Sequence, residues 1–426
     1  MKESIKKRIE AVRRGEVPEG YRRTKDIGIA PSDWRVGQLS DVLHNKQRPV
    51  PKPDEPYWRL GIRSWAKGTF HAYVDDPAAV DMDELYVVQE NDLVVNITFA
   101  WEHAIAVASK EDDGLLVSHR FPTYTFDGGN VPEYYKAVVS QQYFRDMLDH
   151  ISPGGAGRNR VLNRKDFLAL PCHIPPIPEQ KKIAEILATC DRAIELKQQL
   201  LEEKQRQKRA YLQKMLPHSG CDVPEWRLTG FYLPWQKKKL GELVTFYNGL
   251  TYSPDDIRTE GTLVLRSSNV KDGEIVDADN VYVDPAAVNS ENVQIGDIIV
   301  VVRNGSRALI GKHAEIKADM PNTVIGAFMT GIRSEYPPFV NVLLSTPQFD
   351  AEIQKNLGAA INQITGYMFA KMEFMVPEPA ERVAIGEFFR AIDNLIALYQ
   401  RELEQEKQKK KALMQLLLTG LVRVNA

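Results

Sequence analysis

The sequence predicts an α+β protein built as an internal pseudo-two-fold repeat. Two globular domains, mainly β with helices, are joined by two long helices forming an antiparallel coiled coil. Three observations predict this. After Pro178 the chain runs to Leu216 without glycine or proline, and seven-residue steps land on Leu187, Ile194, Leu201, Lys208 and Met215, the spacing of an apolar helical seam. A second seam begins near Pro379, with steps at Phe389, Ile396, Leu403, Lys410 and Leu417, each 202 residues after its partner. Even the lysine that interrupts the seam recurs. Ahead of each stretch, residues 57–172 and 263–375 carry short β-branched and aromatic runs broken by Gly, Pro and Asp.

Length and charge narrow the function. With 426 residues the chain is long enough for two or three domains, each with its own core. A net charge of −2, from 55 Lys and Arg against 57 Asp and Glu, gives no strong overall field, so any basic surface is local. The cysteines, Cys172, Cys190 and Cys221, form no CxxC pair, which fits a reducing compartment. The N-terminus MKESIKKRIEAVRRGEVP lacks a signal peptide's apolar core, and no run approaches the ~18 apolar residues of a membrane span. A cytoplasmic location without membrane partners is expected.

In chain order, residues 1–19 read as a basic helix ended by Gly15 and Pro18, and residues 20–172 as the first domain. Residues 173–219 are the first long helix with its hinge HIPPIPEQ, and 220–231 a linker. The second domain covers 232–375, and 376–426 the second hinge, helix and tail. The repeat extends beyond the helices: Trp34 and Leu39 are answered by Trp235 and Leu240. Ile62-Arg63-Ser64 then Lys67-Gly68 matches Leu265-Arg266-Ser267 then Lys271-Asp272-Gly273. Asp-Pro-Ala-Ala-Val recurs at 76–80 and 284–288, and Asp92-Leu93-Val94-Val95 is echoed by Asp297-Ile298-Ile299-Val300, a turn acid feeding a buried strand. The loops after those strands differ, NITFAWEHAIAVA against VVRNGSRALIGKHAEI, as expected of two binding modules with different targets.

An exposed apolar seam needs cover, and its repeat supplies it. A two-fold axis perpendicular to the helices makes them antiparallel and puts the domains at opposite ends of a spacer whose seam covers about 29 residues, or roughly 43 Å. Lys208 and Lys410 are expected to snorkel to the rim of the seam.

Catalytic signatures are missing. Tyr336 stands before Pro337-Pro338-Phe339 where an amine methyltransferase has an Asn, Asp or Ser that holds the amine. Gly305 with Gly311-Lys312 lacks the P-loop spacing and hydroxyl. Asp297 with Glu315 and Lys317 mimics a nuclease triplet, but the first half has no counterpart. Nucleic-acid contact is the better reading. No Lys or Arg lies between Asp75 and Asp92 or between Asp272 and Val302, so those acidic surfaces should face away from phosphate. The candidate DNA-binding residues flank them: Arg63, Ser64, Lys67, His119, Arg120, Arg158, Asn159 and Arg160 in the first half. The second half offers Arg266, Ser267, Asn269, Lys271, Arg303, Asn304, Arg307 and Lys312, with Asn362 and Gln363 from a polar loop. Arg and Asn can read guanine and adenine edges bidentately, with Ser and Lys on phosphate.

Taken together, DWRVGQLSDV and PWQKKKLGEL opening the halves, GLLVSHRFPTYTF, IGDIIVVVRNG, PPIPEQKKIAEIL at the first hinge and KALMQLLLTGLVRV at the C-terminus resemble the DNA-specificity subunit of Type I restriction–modification systems. The resemblance implies a non-catalytic subunit whose two target-recognition domains, near 20–172 and 232–375, each read half of a split, asymmetric site in double-stranded DNA. It implies that the two helices set the gap and dock methyltransferase and restriction/translocase subunits. S-adenosylmethionine, ATP and Mg2+ then belong to those partners, with no cofactor on this chain. Ala380-Glu381-Arg382 stands where the first hinge has Pro178-Glu179-Gln180, a departure at the second hinge. The alternative is a coiled-coil adaptor without DNA specificity, and self-association of the isolated chain stays open.

Overall fold

The computed structural model describes residues 3–24, 27–152, 154, 160–218, 221–357 and 362–424. They form two compact units, residues 1–196 with 403–426, and residues 197–402. The divide cuts both long helices, Ile177–Met215 and Pro379–Leu418, so each unit holds a segment of each. The N-terminal helix forms as expected, Glu3–Arg13, and stops before Gly15, whose φ of 79° no helix tolerates.

In the first unit a five-stranded sheet orders Pro49–Pro51, Glu84–Val87, Leu116–Val117, Tyr57–Ile62 and Thr69–Val74. A four-stranded sheet orders Ile105–Val107, Leu93–Val95, Thr123–Phe126 and Leu43–Asn45. In the second unit one sheet orders Ile257–Arg258, Val281–Val283, Thr262–Leu265 and Thr323–Ile325. The other orders Val244–Asn248, Met329–Ser334, Ile298–Val301 and His313–Glu315. Among the strands of these four sheets pairing is antiparallel except at two equivalent places, Leu116 with Arg59 and Leu263–Leu265 with Thr323–Ile325. There, strands distant in sequence leave their sheet at the same end.

The repeated motifs do local work. Asp92 accepts the Gln89 N–H at 2.9 Å and Asp297 the Gln294 N–H at 2.9 Å, each closing the turn before a buried strand. Asp76 and Asp284 cap their Asp-Pro-Ala-Ala-Val turns through the N–H of Ala78 and Ala286. In the first unit, Leu187 and Leu417 join a core around Trp34, Tyr134 and Phe167. In the second, Met215 and Phe389 join Trp235, Phe339 and Phe374. Gly386 sits inside the second long helix because a Cβ there would come within 2.9 Å of the Phe339 backbone.

Within each unit the two helix segments run antiparallel. In the second unit Lys197 meets Glu402 at 2.6 Å and Lys208 meets Asp393 at 2.5 Å, so one index falls as the other rises. In the first unit Lys410 pairs with Asp191. The seam lysines therefore do not simply snorkel: each reaches an aspartate of the other helix, and the two aspartates are themselves 202 residues apart.

Both long helices begin on a buried carboxylate. Glu179 accepts the Trp34 indole N–H at 2.8 Å and a two-toothed contact from Arg423, which also grips Asp33. Glu381 is fully buried and is held by Arg227 at 2.8 and 2.6 Å. Where the hinges differ in sequence the bonding is conserved in kind: Gln180 donates to the Pro175 carbonyl at 2.9 Å, and Arg382 to the Pro377 carbonyl at 2.8 Å. Trp235 departs from the repeat, its buried indole N–H having no partner where that of Trp34 has Glu179.

Removing one partner of a buried ion pair strands the other charge. Arg227→Ala should lower the stability of the second unit by about 3–5 kcal/mol, the usual cost of an uncompensated buried charge, while leaving the first unit's transition in place. Denaturant unfolding followed by hydrogen exchange resolved to each unit checks this.

Candidate nucleic-acid interface

The parallel strand pairs bring candidate residues together. In the first unit Tyr57–Ile62 leads into Arg63–Gly68, and its parallel neighbour Leu116–Val117 leads into His119 and Arg120. A third loop follows Leu93–Val95. Hydrogen bonds tie these loops at one edge: Trp65 N–H to Glu102 O, Ala66 N–H to His103 O, Ile97 N–H to Arg120 O, and Leu162 N–H to Ile97 O. The second unit repeats the pattern, with Val302 N–H to Phe328 O and Ile364 N–H to Val302 O. Arg266 and Ser267 follow one strand of its parallel pair, and Phe328 follows the other.

The side chains are not equally available. Lys67, His119 and Arg120 are exposed. Arg63 lies over the Phe70 ring at 5.3 Å and donates to the Thr69 carbonyl. Ser64 donates to Glu102 at 2.6 Å. Arg160 is spent on its own loop, donating to the carbonyls of Ser152 and Asp149 at 2.9 and 2.8 Å and pairing with the Asp149 carboxylate, so it staples rather than reads. Arg158 and Asn159 lie outside the described residues.

In the second unit the exposed Arg303 guanidinium stacks on Phe328 at 5.0 Å with its N–H donors free. Asn304 donates to Ser267 at 3.2 Å, Asn362 donates to the Gly305 carbonyl at 3.2 Å, and Gln363 pairs with Arg303 through the backbone, so these residues share one patch. Arg307 is exposed, with a 3.4 Å contact to the Leu357 carbonyl, and Lys312 stands two residues beyond that turn.

Three expectations need correction. Asn269 is buried: it accepts from Arg266 N–H at 2.9 Å and donates to Ala278 O at 2.8 Å and Asn280 at 2.9 Å, so it shapes the turn and faces no solvent. Lys271 leaves the patch on a short hairpin and lines a cleft of about 350 Å3 with Lys208, Arg209 and Asp393. The acidic stretch after Asp272 does not wholly face away, because Asp279 binds Arg266 at 2.6 Å. That pair borders a pocket of about 580 Å3 walled by Leu250, Tyr252, Ile257, Phe328 and Met329.

The catalytic look-alikes are structural. Asp297 accepts from the Tyr247 hydroxyl at 2.7 Å and from Arg333 at 2.9 Å, Glu315 faces Arg390, and Lys317 pairs with Glu274. Among the described residues no group of His, Cys, Asp and Glu is arranged to hold a metal ion, and none of the described helices is long and apolar enough to cross a membrane. Phe339, behind the two prolines, is buried in the core. Behind the first patch, burial pushes His103 below the usual imidazole range, and its Nε2 donates to the Val139 carbonyl at 2.6 Å.

Sequence reasoning missed the aromatic members, Trp65, Trp101 and Phe328. Trp65 and Phe328 are more than half exposed, and a single sequence does not separate an aromatic aimed at solvent from one in the core.

These roles are separable. Asn269→Ala should destabilise the second unit by about 1–3 kcal/mol through stranded backbone groups, whereas Arg303→Ala should stay within about 0.5 kcal/mol of the parent. Thermal denaturation of both variants checks it.

Comparison with known proteins bears on what these patches bind. The family described as Type I restriction modification DNA specificity domain matches residues 31–205 and again 232–408. A Methanocaldococcus jannaschii protein assigned by name as the MjaX type I restriction enzyme specificity subunit is 24% identical over 433 residues, covering 95% of this chain and 97% of its own. Among solved structures, a chain from a study of complex assembly and conformational transition of the type I R-M system covers 92% of this chain and 99% of its own, with a TM-score of 0.58 at 15% identity. The S subunit of the M. genitalium Type-I restriction-modification system covers 91% and 96%, with a TM-score of 0.57 at 15% identity.

Proposed function

Since the chain belongs to the Type I restriction–modification DNA specificity family and carries its domain twice, we propose that each loop patch reads one half of a split, asymmetric duplex site. The chain is the specificity subunit, the recognising and not the catalytic component. The observation that carries the reading is the pair of equivalent patches, which share two backbone hydrogen bonds but are filled with different side chains. Lys67 and Arg120 in one, and Arg303 in the other, have free donors suited to phosphate or guanine. Methyltransferase subunits docked on the long helices supply S-adenosylmethionine chemistry on adenine. Restriction/translocase subunits supply ATP- and Mg2+-dependent cleavage. Cytoplasmic DNA is the substrate.

Selection from a randomised duplex library tests the reading. Arg120→Ala should relax only one half-site and Arg303→Ala only the other, each losing about 1–3 kcal/mol of discrimination if it reads a base. A uniform loss at all sequences with a shallower salt slope assigns that arginine to phosphate, and a chain whose binding ignores salt is an adaptor.

The helices are proposed to set the interval between half-sites. One added heptad after Lys204 and one after Glu406 keep every Lys–Asp pair and return the seam to the same face. Each helix lengthens by about 10 Å, so the preferred interval should grow by roughly three base pairs. The methylation pattern of the reconstituted complex reads this out, and four added residues instead should unfold the pair.

A further inference from the structure

The hairpin between Tyr57–Ile62 and Thr69–Val74 turns through two consecutive non-glycine residues in the left-handed region, Trp65 at φ 66° and Ala66 at φ 50°. Left-handed backbone places Cβ against the carbonyl, and Gly or Asn is the inexpensive choice there. The conformation is imposed from outside the hairpin: the N–H groups of both residues are held at 2.8 and 2.9 Å by the carbonyls of Glu102 and His103, and Ser64 is tied to Glu102. Such strain is expected where a particular side chain must be shown in a particular direction.

What is shown is an indole that the fold does not use. Trp65 is 55% exposed. Its ring touches Arg145, whose guanidinium lies 3.8 Å from the ring centroid. The other aromatics of this hairpin are occupied, Trp58 with Tyr73 at 5.0 Å and Phe70 under Arg63. Trp65 stands between Arg63 and Lys67, both exposed, at the edge where the loops of Arg120 and Trp101 are bound in.

We propose that Trp65 is a DNA-contacting specificity residue, an apolar wedge pressed against a base step, with Arg145 as the positioning residue that fixes its ring. Resting on the reading of this patch as a DNA surface, it adds deformability of the duplex to what the first domain reads. A wedge favours steps that unstack easily, pyrimidine–purine above all, without bonding to base edges.

The backbone makes the test sharp. The full chain is used with the duplex it enriches from a randomised library. Trp65→Gly relieves the left-handed strain, so its thermal midpoint should rise or hold, while affinity falls about tenfold or more, as expected on losing an aromatic contact to bases, with the salt slope unchanged. Trp65→Phe should keep most of the affinity. Arg145→Gln should weaken the parent but add nothing to Trp65→Gly, because it acts through the ring. An abasic site at the wedged step should tighten binding of the parent and leave Trp65→Gly unaffected. A Trp65→Gly chain that melts earlier would make the ring a structural element, and one that binds like the parent would make it a bystander; either overturns the proposal. A parent chain that enriches no sequence overturns instead the DNA reading on which it rests.

Discussion

The hinge of each unit is anchored to a carboxylate that has been taken out of water. Glu179 and Glu381 sit in the first turns of the two long helices, where the helix dipole favours negative charge, and both are buried. Burial is tolerable only with a charged partner, and each finds an arginine from the segment that follows the other helix: Arg423 for Glu179, Arg227 for Glu381. In the first unit this draws the tail after the second helix onto residues 33–34, and Tyr21 adds a 2.6 Å bond to the Gly420 carbonyl. In the second it draws the linker onto its hinge. Cooperative burial of one ion pair thus joins pieces remote in sequence.

With the hinge fixed, the sheets present their loops in a constant frame. The turn acids Asp92 and Asp297 are gripped by Arg48 and Arg333, so the strands that follow them start from a rigid point. Both end in loops that bond through a backbone N–H to the loop after the parallel strand pair, Ile97 to Arg120 and Val302 to Phe328. Backbone bonding is indifferent to side-chain identity. The patch can therefore carry Arg120 in one domain and Phe328 in the other without altering the scaffold, which is what divergent targets on a repeated frame require.

Much of this was legible because it is periodic. The 202-residue offset exposes the seam and the long helices, and recurring short motifs at slightly larger offsets expose the turn acids and the capped Asp-Pro turns, each resting on local chemistry. Closure of the hinge was not legible. Arg227 and Arg423 are 196 residues apart, off the repeat's offset, and act across 154 and 244 residues of chain. Asn269 looked like a reader because it follows Arg266-Ser267, yet its carboxamide closes the turn that presents them. The same ambiguity hid Trp65: a tryptophan in a strand-rich segment is read as core, and only φ and exposure separate it.

The acids inside the patches are the least expected feature, and they bear on selectivity. Glu102 and Asp279 repel phosphate, so their presence lowers affinity for DNA in general. They also hold Ser64 and Arg266 in place, which on the proposed reading would remove rotamer entropy from the binding step. On the proposed reading, Arg266 would give up the Asp279 carboxylate to serve a base, and a misplaced acceptor would not compensate for that loss. On that reading, discrimination would come from the penalty on wrong sequences as much as from contact with the right one. A net charge of −2 is consistent with this strategy: attraction confined to a few free cations leaves the choice of site to geometry.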